Sequence, residues 1–208
     1  AGFLLGCLRG PRLVARVGHL RVFAAMAAVA SCAILVHGLA VSPWVWAALR
    51  AGSGFCFAIL FMVTESWLGE KAEPAARASV FSIYAVLLHL TGTAGQAAVA
   101  FADPQAFGAF AVGSVLISLS ALPMLLTRID QPRPLQGARI ALGALWRASP
   151  VAVAAAVGAG LANSAFAALL PLSAGEQGVA AANVALLMAA SALAAAAMQW
   201  PLGALSDR

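Results

Sequence analysis

Charge is what this 208-residue sequence has least of. Asp, Glu, Lys and Arg make up 9% of it, against roughly 25% in soluble domains, and its mean hydropathy is +0.95. A soluble fold needs a charged shell, so this composition excludes an ordinary soluble domain. With 63% hydrophobic residues, the chain reads as an all-α polytopic membrane protein, whose backbone must satisfy itself within helices. A nucleotide-binding loop is also missing: no glycine-rich segment ends in Gly-Lys-Ser or Gly-Lys-Thr, which leaves primary transport by this chain alone unsupported. Cysteine is scarce, and Cys7, Cys32 and Cys56 lack metal-ligand spacing. They are expected to be small buried packing residues, with no metal and no cofactor implied. The formal charge of +5 sits in short gaps between apolar runs rather than on one clustered face, so nucleic acid is not an expected partner. Nor is there an initiator Met or a signal-peptide pattern before the first apolar run. Residues 1–8 are too short to span a bilayer, and the sequence is expected to be a fragment that starts within a helix.

The apolar runs set the organisation. A basic stretch over 9–21 holds Arg9, Arg12, Arg16 and Arg21 and is expected to be a loop. Val22–Val41 is long enough to cross. Ser42-Pro43 is a turn, and Trp44 and Trp46 open the next span, 44–66, as interfacial anchors. A polar loop covers 67–78, and spans are expected at 79–101 and 107–127, joined by the turn Asp103-Pro104-Gln105. Residues 128–148 form the longest polar connection, readable either as a flexible linker or as a short interfacial helix around Ile140, Leu142, Leu145 and Trp146. The last two spans, 151–170 and 180–202, are joined by a loop holding Glu176 and are rich in Ala, Gly and Ser, which allows close helix approach.

The basic residues orient these spans. With 9–21 inside, the loops 67–78, 128–148 and 203–208 are inside too. Arg9, Arg12, Arg16, Arg21, Lys71, Arg77, Arg128, Arg133, Arg139, Arg147 and Arg208 then share the cytoplasmic side, while the loops near 42, 103 and 176 hold no Lys or Arg. This is the positive-inside pattern. The remaining cation, Arg50, lies inside a span.

Two basic stretches mark a repeat. Arg16-Val17-Gly18-His19-Leu20-Arg21 and Gly203-Ala204-Leu205-Ser206-Asp207-Arg208 resemble the two copies of the loop signature of the major facilitator superfamily, which follow helices 2 and 8. Six helices fit the interval between them, as in a duplicated transporter. The stretches Leu49-Arg50 to Glu65-Ser66-Trp67, Ser82-Ile83-Tyr84 to Gly95-Gln96, and Gln199-Trp200-Pro201-Leu202-Gly203 resemble the YcaD-like permease branch of that superfamily. The resemblance implies a fragment running from the end of helix 2 to the end of helix 8. Residues 1–127 would belong to the N-terminal six-helix bundle, 128–148 to the inter-bundle linker, and 149–208 to the start of the C-terminal bundle. It also implies a cytoplasmic gate made by Arg12, Arg16, Gly18, Arg21, Gly203, Asp207 and Arg208, to which Glu65 is a candidate addition. One departure stands out: Ala15 occupies a position where the family often has Asp, and Pro11 one where it often has Gly. Only the second copy keeps its acid, Asp207.

Ionisable and polar groups within spans are costly and so are functional candidates. Arg50, in Arg50-Ala51-Gly52-Ser53-Gly54, resembles the family's fourth-helix motif, which implies a role in proton coupling for Arg50 and Gly54; the alternative is an arginine snorkelling to water. Glu65 lies about 22 Å along the helix from Arg50, too far to pair with it. It either supplies the missing acid for Arg16 or Arg21 or is a plain carboxylate at a helix end. His37 is expected to be interfacial. His89 is placed for a cavity or proton relay, or for a hydrogen bond between helices. Gln96, Asn163 and Gln199 either line the path or join helices, and Thr91 and Thr93 can bond back to their own helix. A membrane-embedded enzyme using His37, Glu65 and His89 is excluded because Glu65 and His37 belong to opposite faces. The expected function is a secondary transporter working by alternating access as a monomer in the bacterial inner membrane, and the resemblance implies a small organic solute or a drug-like export substrate, with protons as the coupling ion. A non-transporting sensor or scaffold on the same fold is the alternative.

Overall fold

A computed structural model describes residues 1–74, 76–101, 107–126 and 142–206, without the side chains of 78, 99–101, 142 and 199–206. The described residues form eight helices and no strand. They are α1 (Gly2–Val17), α2 (His19–Leu39), α3 (Pro43–Lys71), α4 (Arg77–Phe101), α5 (Gly108–Leu126), α6 (Leu142–Ala148), α7 (Pro150–Glu176) and α8 (Ala181–Ser206). Five of them, α2, α3, α5, α7 and α8, are long and apolar enough to cross a membrane. The 25-residue α4 is also of spanning length, and it carries Ser82, Tyr84, His89, Thr91, Thr93 and Gln96. A helix of spanning length with that many polar groups must turn them to protein or water.

Several boundaries differ from those expected. The basic stretch 9–21 is not a loop: α1 runs on through Pro11 to Val17, and only Gly18 separates it from α2. Arginine, leucine and alanine are good helix formers, and the break comes where the backbone reaches φ 93° at Gly18, a region open to glycine at little cost. Likewise α3 extends past residue 66 to Lys71, and α7 passes Pro171 to end at Glu176. Residues 203–206 are still helical. Part of the 128–148 connection is helical, as the seven-residue α6; residues 127–141, and with them Arg128, Arg133 and Arg139, lie outside the described residues, as does the turn at 103–105.

The helices group into two compact units. The first holds Ala1–Arg77 and Gln105–Ala138, and the second Ala78–Pro104 and Arg139–Arg208. In the first, α1 packs along α3, and α2 packs along both α3 and α5. Its core joins Val14, Val22, Phe23, Ile59, Val63 and Trp67. The α1–α3 seam rests on three glycines one helical turn apart, Gly2, Gly6 and Gly10, all buried. A Cβ on Gly2 would meet the Ala51 carbonyl, and one on Gly6 would lie 2.6 Å from the Phe55 carbonyl oxygen and 2.7 Å from the Ala58 Cβ. Small residues at this spacing let two membrane helices meet backbone to backbone. The close approach expected of the last two spans is absent from α7, where no residue is buried and a Cβ on Gly158 or Gly160 meets nothing within 4 Å. Of the cysteines, only Cys56 is buried; Cys7 is half-buried and Cys32 exposed, so two of the three do not have the packing role expected.

In the second unit, α7 packs on α6 and α8. The chain-order division at 128–148 and this grouping by proximity separate on one element: α4 precedes α5 in sequence but falls with α7 and α8.

Candidate functional site

Side chains from α4, α7 and α8 line an open cavity of about 420 Å³ within the second unit. Its polar lining is His89 and Gln96 from α4, Asn163 from α7 and Ser191 from α8. His89 and Gln96 are seven residues apart, close to two turns, and so lie on one face of α4. Gly92 fills the step between them and also lines the cavity. Three of the residues expected on a transport path, His89, Gln96 and Asn163, thus line one cavity. The hydrogen bond of His89 is local rather than between helices: Nδ1 donates to the Ala85 carbonyl at 2.8 Å. A carbonyl only accepts, so Nδ1 carries the hydrogen, and in the neutral ring Nε2 is then the acceptor. Thr91 and Thr93 bond back to the Leu87 and His89 carbonyls at 2.8 and 2.9 Å, as expected. The Gln199 side chain lies outside those described.

The other expected path residues belong to the first unit. Arg50 is exposed. Gly54, one turn on, faces α1, where a Cβ would come 3.1 Å from the Phe3 backbone nitrogen, while Gly52 has open space. The glycines beside Arg50 therefore serve the α1–α3 seam through Gly54 alone. His37, in the last turn of α2, is buried: its Nδ1 donates to the Ala33 carbonyl at 2.7 Å, and its ring packs 5.8 Å from that of Trp46. Trp46 in turn donates to the Ala40 carbonyl at 2.8 Å, so it closes the α2–α3 turn, whereas Trp44 is 86% exposed.

At the opposite end of the first unit the basic residues meet the end of α3. Arg12, Arg16 and Arg21 are exposed around the Gly18 turn. His19, which sequence reasoning passed over, is 2% exposed there, with its Nε2 3.4 Å from the Ser66 hydroxyl. The residue next to Ser66, Glu65, is exposed and makes no ion pair with Arg16 or Arg21. The acid that acts on this turn is Glu70, close enough to His19 to influence it electrostatically. A carboxylate five residues further along α3 was hidden from sequence reasoning because 9–21 was taken as a loop, which leaves the level of its residues undefined. Gly203 is in α8, and Asp207 and Arg208 lie outside the described residues.

A second polar feature had no sequence signal beyond isolated serines. The Ser31 hydroxyl on α2 lies 2.6 Å from Ser114 Oγ and 2.9 Å from Ser118 Oγ on α5, and donates to the Ser114 carbonyl at 3.2 Å. It joins the two helices where no water competes.

Apolar helices of spanning length with a polar cavity among them define a multi-pass membrane protein. The major facilitator superfamily profile matches residues 2–208, and the chain belongs to that superfamily of membrane transporters. It is 26% identical over its whole length to the uncharacterised MFS-type transporter YcaD of Escherichia fergusonii, covering 55% of that protein. Over its whole length it is also 24% identical to an uncharacterised MFS-type transporter of Yersinia enterocolitica and 25% identical to YcaD of Salmonella newport, again covering 55% of each. The chain thus spans about half the length of these curated relatives. No solved structure matches it.

Proposed function

We propose that this chain is part of a secondary transporter that exports a small organic solute across the bacterial inner membrane by alternating access, with protons as the coupling ion. The observation that carries the reading is the cavity among α4, α7 and α8, lined by His89, Gln96 and Asn163. Polar groups at membrane depth are costly unless they face a cavity or a partner, and these three face the same one. On this reading residues 1–127 belong to the N-terminal bundle, 128–148 to the linker and 149–208 to the start of the C-terminal bundle. α4 is then the N-terminal helix that shares a cavity with two C-terminal ones, and rocking of the bundles about that cavity would expose it to each side in turn. His89 is the proton carrier, because its Nε2 is the lone pair left after Nδ1 bonds to Ala85. Arg50, with Gly54 holding its helix against α1, assists the coupling.

The cytoplasmic latch on this reading combines Arg12, Arg16, Gly18 and Arg21 with Glu65 and Glu70 of the first unit, and Gly203, Asp207 and Arg208 in the second copy. A latch of this kind works by making contacts in one state that it loses in the other. The full-length protein acts as a monomer. The test is flux: the full-length protein in vesicles with an imposed proton gradient, offered a panel of solutes, should move lumenal pH when a substrate is present, and His89→Phe should uncouple the two. Binding of a solute with no flux of it or of protons would make the protein a sensor instead.

A further inference from the structure

The cavity does not stop at Gln96. A second chamber of about 280 Å³ opens beside it and shares Gln96 and Met188 with it. This chamber reaches toward the α7–α8 turn, and Pro171, Val179, Val184 and Ala185 supply its apolar walls. Apart from Gln96, none of its lining side chains is polar. Neither chamber is lined by Asp, Glu, Lys or Arg among the described residues. A solute carrying a permanent charge would lie there without a counter-charge, at a cost of several kcal/mol. A solute with hydrogen-bonding groups at one end meets Gln96, Asn163 and the His89 imidazole, and an apolar remainder meets the second chamber.

Resting on the transport reading above, we infer that the solute is an elongated, uncharged amphiphile, held with its polar head among His89, Gln96 and Asn163 and its apolar tail in the chamber beside the α7–α8 turn. Asn163 and Gly175 bracket the two chambers on α7 and are twelve residues apart, roughly 18 Å of helix, so a compact polar solute would leave the second chamber empty. Gly175 gives the means to test this. It lines the chamber, and a Cβ there meets nothing within 4 Å, so a side chain can be added at this wall without a clash at its base.

The experiment measures binding of linear primary alkanamides, from butanamide to decanamide, to the full-length protein in lipid nanodiscs by calorimetry. Partition into lipid is common to every variant and cancels in a ratio. Wild-type affinity divided by that of Gly175→Leu should grow along the series, by about four-fold for each methylene the leucine excludes. Ala181→Leu, entering the same chamber from α8, should repeat that growth. Asn163→Leu should weaken every amide by the same factor. A ratio that stays constant along the series would overturn the inference, as would equal affinity for alkyltrimethylammonium ions. The transport reading fails separately: an amide that binds with the expected length dependence but never crosses a vesicle membrane removes transport and leaves the site. A carried solute with no length-dependent ratio removes the site and leaves transport.

Discussion

A single methyl group placed on Gly6 tests whether the first unit is built on a glycine seam. The new Cβ would sit 2.6 Å from the Phe55 carbonyl oxygen and 2.7 Å from the Ala58 Cβ. Ordinary contacts of a Cβ begin near 3.4 Å, and neither opposing atom is the end of a flexible side chain. α1 and α3 must therefore part. Overpacking of this kind costs about 1–3 kcal/mol, while alanine gains back about 1 kcal/mol of helix propensity over glycine. The net expectation for Gly6→Ala is a loss of up to about 2 kcal/mol. Gly52→Ala is the control, because a Cβ there has open space, and it should be neutral or gain up to about 1 kcal/mol. Gly10→Ala should fall between them, since its nearest obstacle at 2.8 Å is the mobile Cε of Met62. Equilibrium unfolding of the full-length protein in bicelles reads all three. Equal stability of Gly6→Ala and Gly52→Ala would refute the seam. The seam matters for function because α1 carries Arg9, Arg12 and Arg16 to the Gly18 turn.

Three further outcomes follow from the same structure. Ser31→Ala removes every bond from α2 to Ser114 and Ser118 and should destabilise the protein by about 0.6–2 kcal/mol, read as a lower thermal midpoint in detergent. Gly18→Ala puts a side chain at φ 93°, ψ 153°, a region essentially confined to glycine, and should cost about 1–3 kcal/mol in the same unfolding assay; Gly18→Asn should be no better, since asparagine tolerates the left-handed helical region and not this one. Arg50→Ala and Arg50→Lys should both reduce proton-coupled flux while leaving membrane insertion intact, because Arg50 is exposed and holds no packing position; full flux in both would remove Arg50 from the coupling.

The membrane class and the spans were legible because apolar run length is set by bilayer thickness, and the expected spans all have a helix at their centre. Helix ends were not legible where charge was taken as a sign of loop. Arg9, Arg12 and Arg16 look like a connection in sequence, yet arginine is a good helix former, and only the backbone at Gly18 breaks the run. The same error hid Glu70, whose proximity to His19 depends on α3 running on past residue 66. His89, Gln96 and Asn163 were legible as path candidates because imidazole and carboxamide side chains are rare in these helices. That they share one cavity was not, since Asn163 is on a helix more than sixty residues further along the chain. The Gly2, Gly6, Gly10 seam was not legible while Gly10 stood in an expected loop, and its partner, the Ala51, Phe55 and Ala58 face of α3, is set by tertiary packing. The burial of His37 was not legible, because nearness to a helix end says nothing of which face is covered, and Trp46 packs against it.

The most direct test of the transport account is sided access to the cavity. Asn163→Cys in the full-length protein, with Cys7, Cys32 and Cys56 replaced by alanine, would be exposed in oriented vesicles to a membrane-impermeant thiol reagent. Alternating access predicts labelling from each side, with the balance shifted by a bound solute. Labelling from one side only, unchanged by any solute that binds, would contradict it.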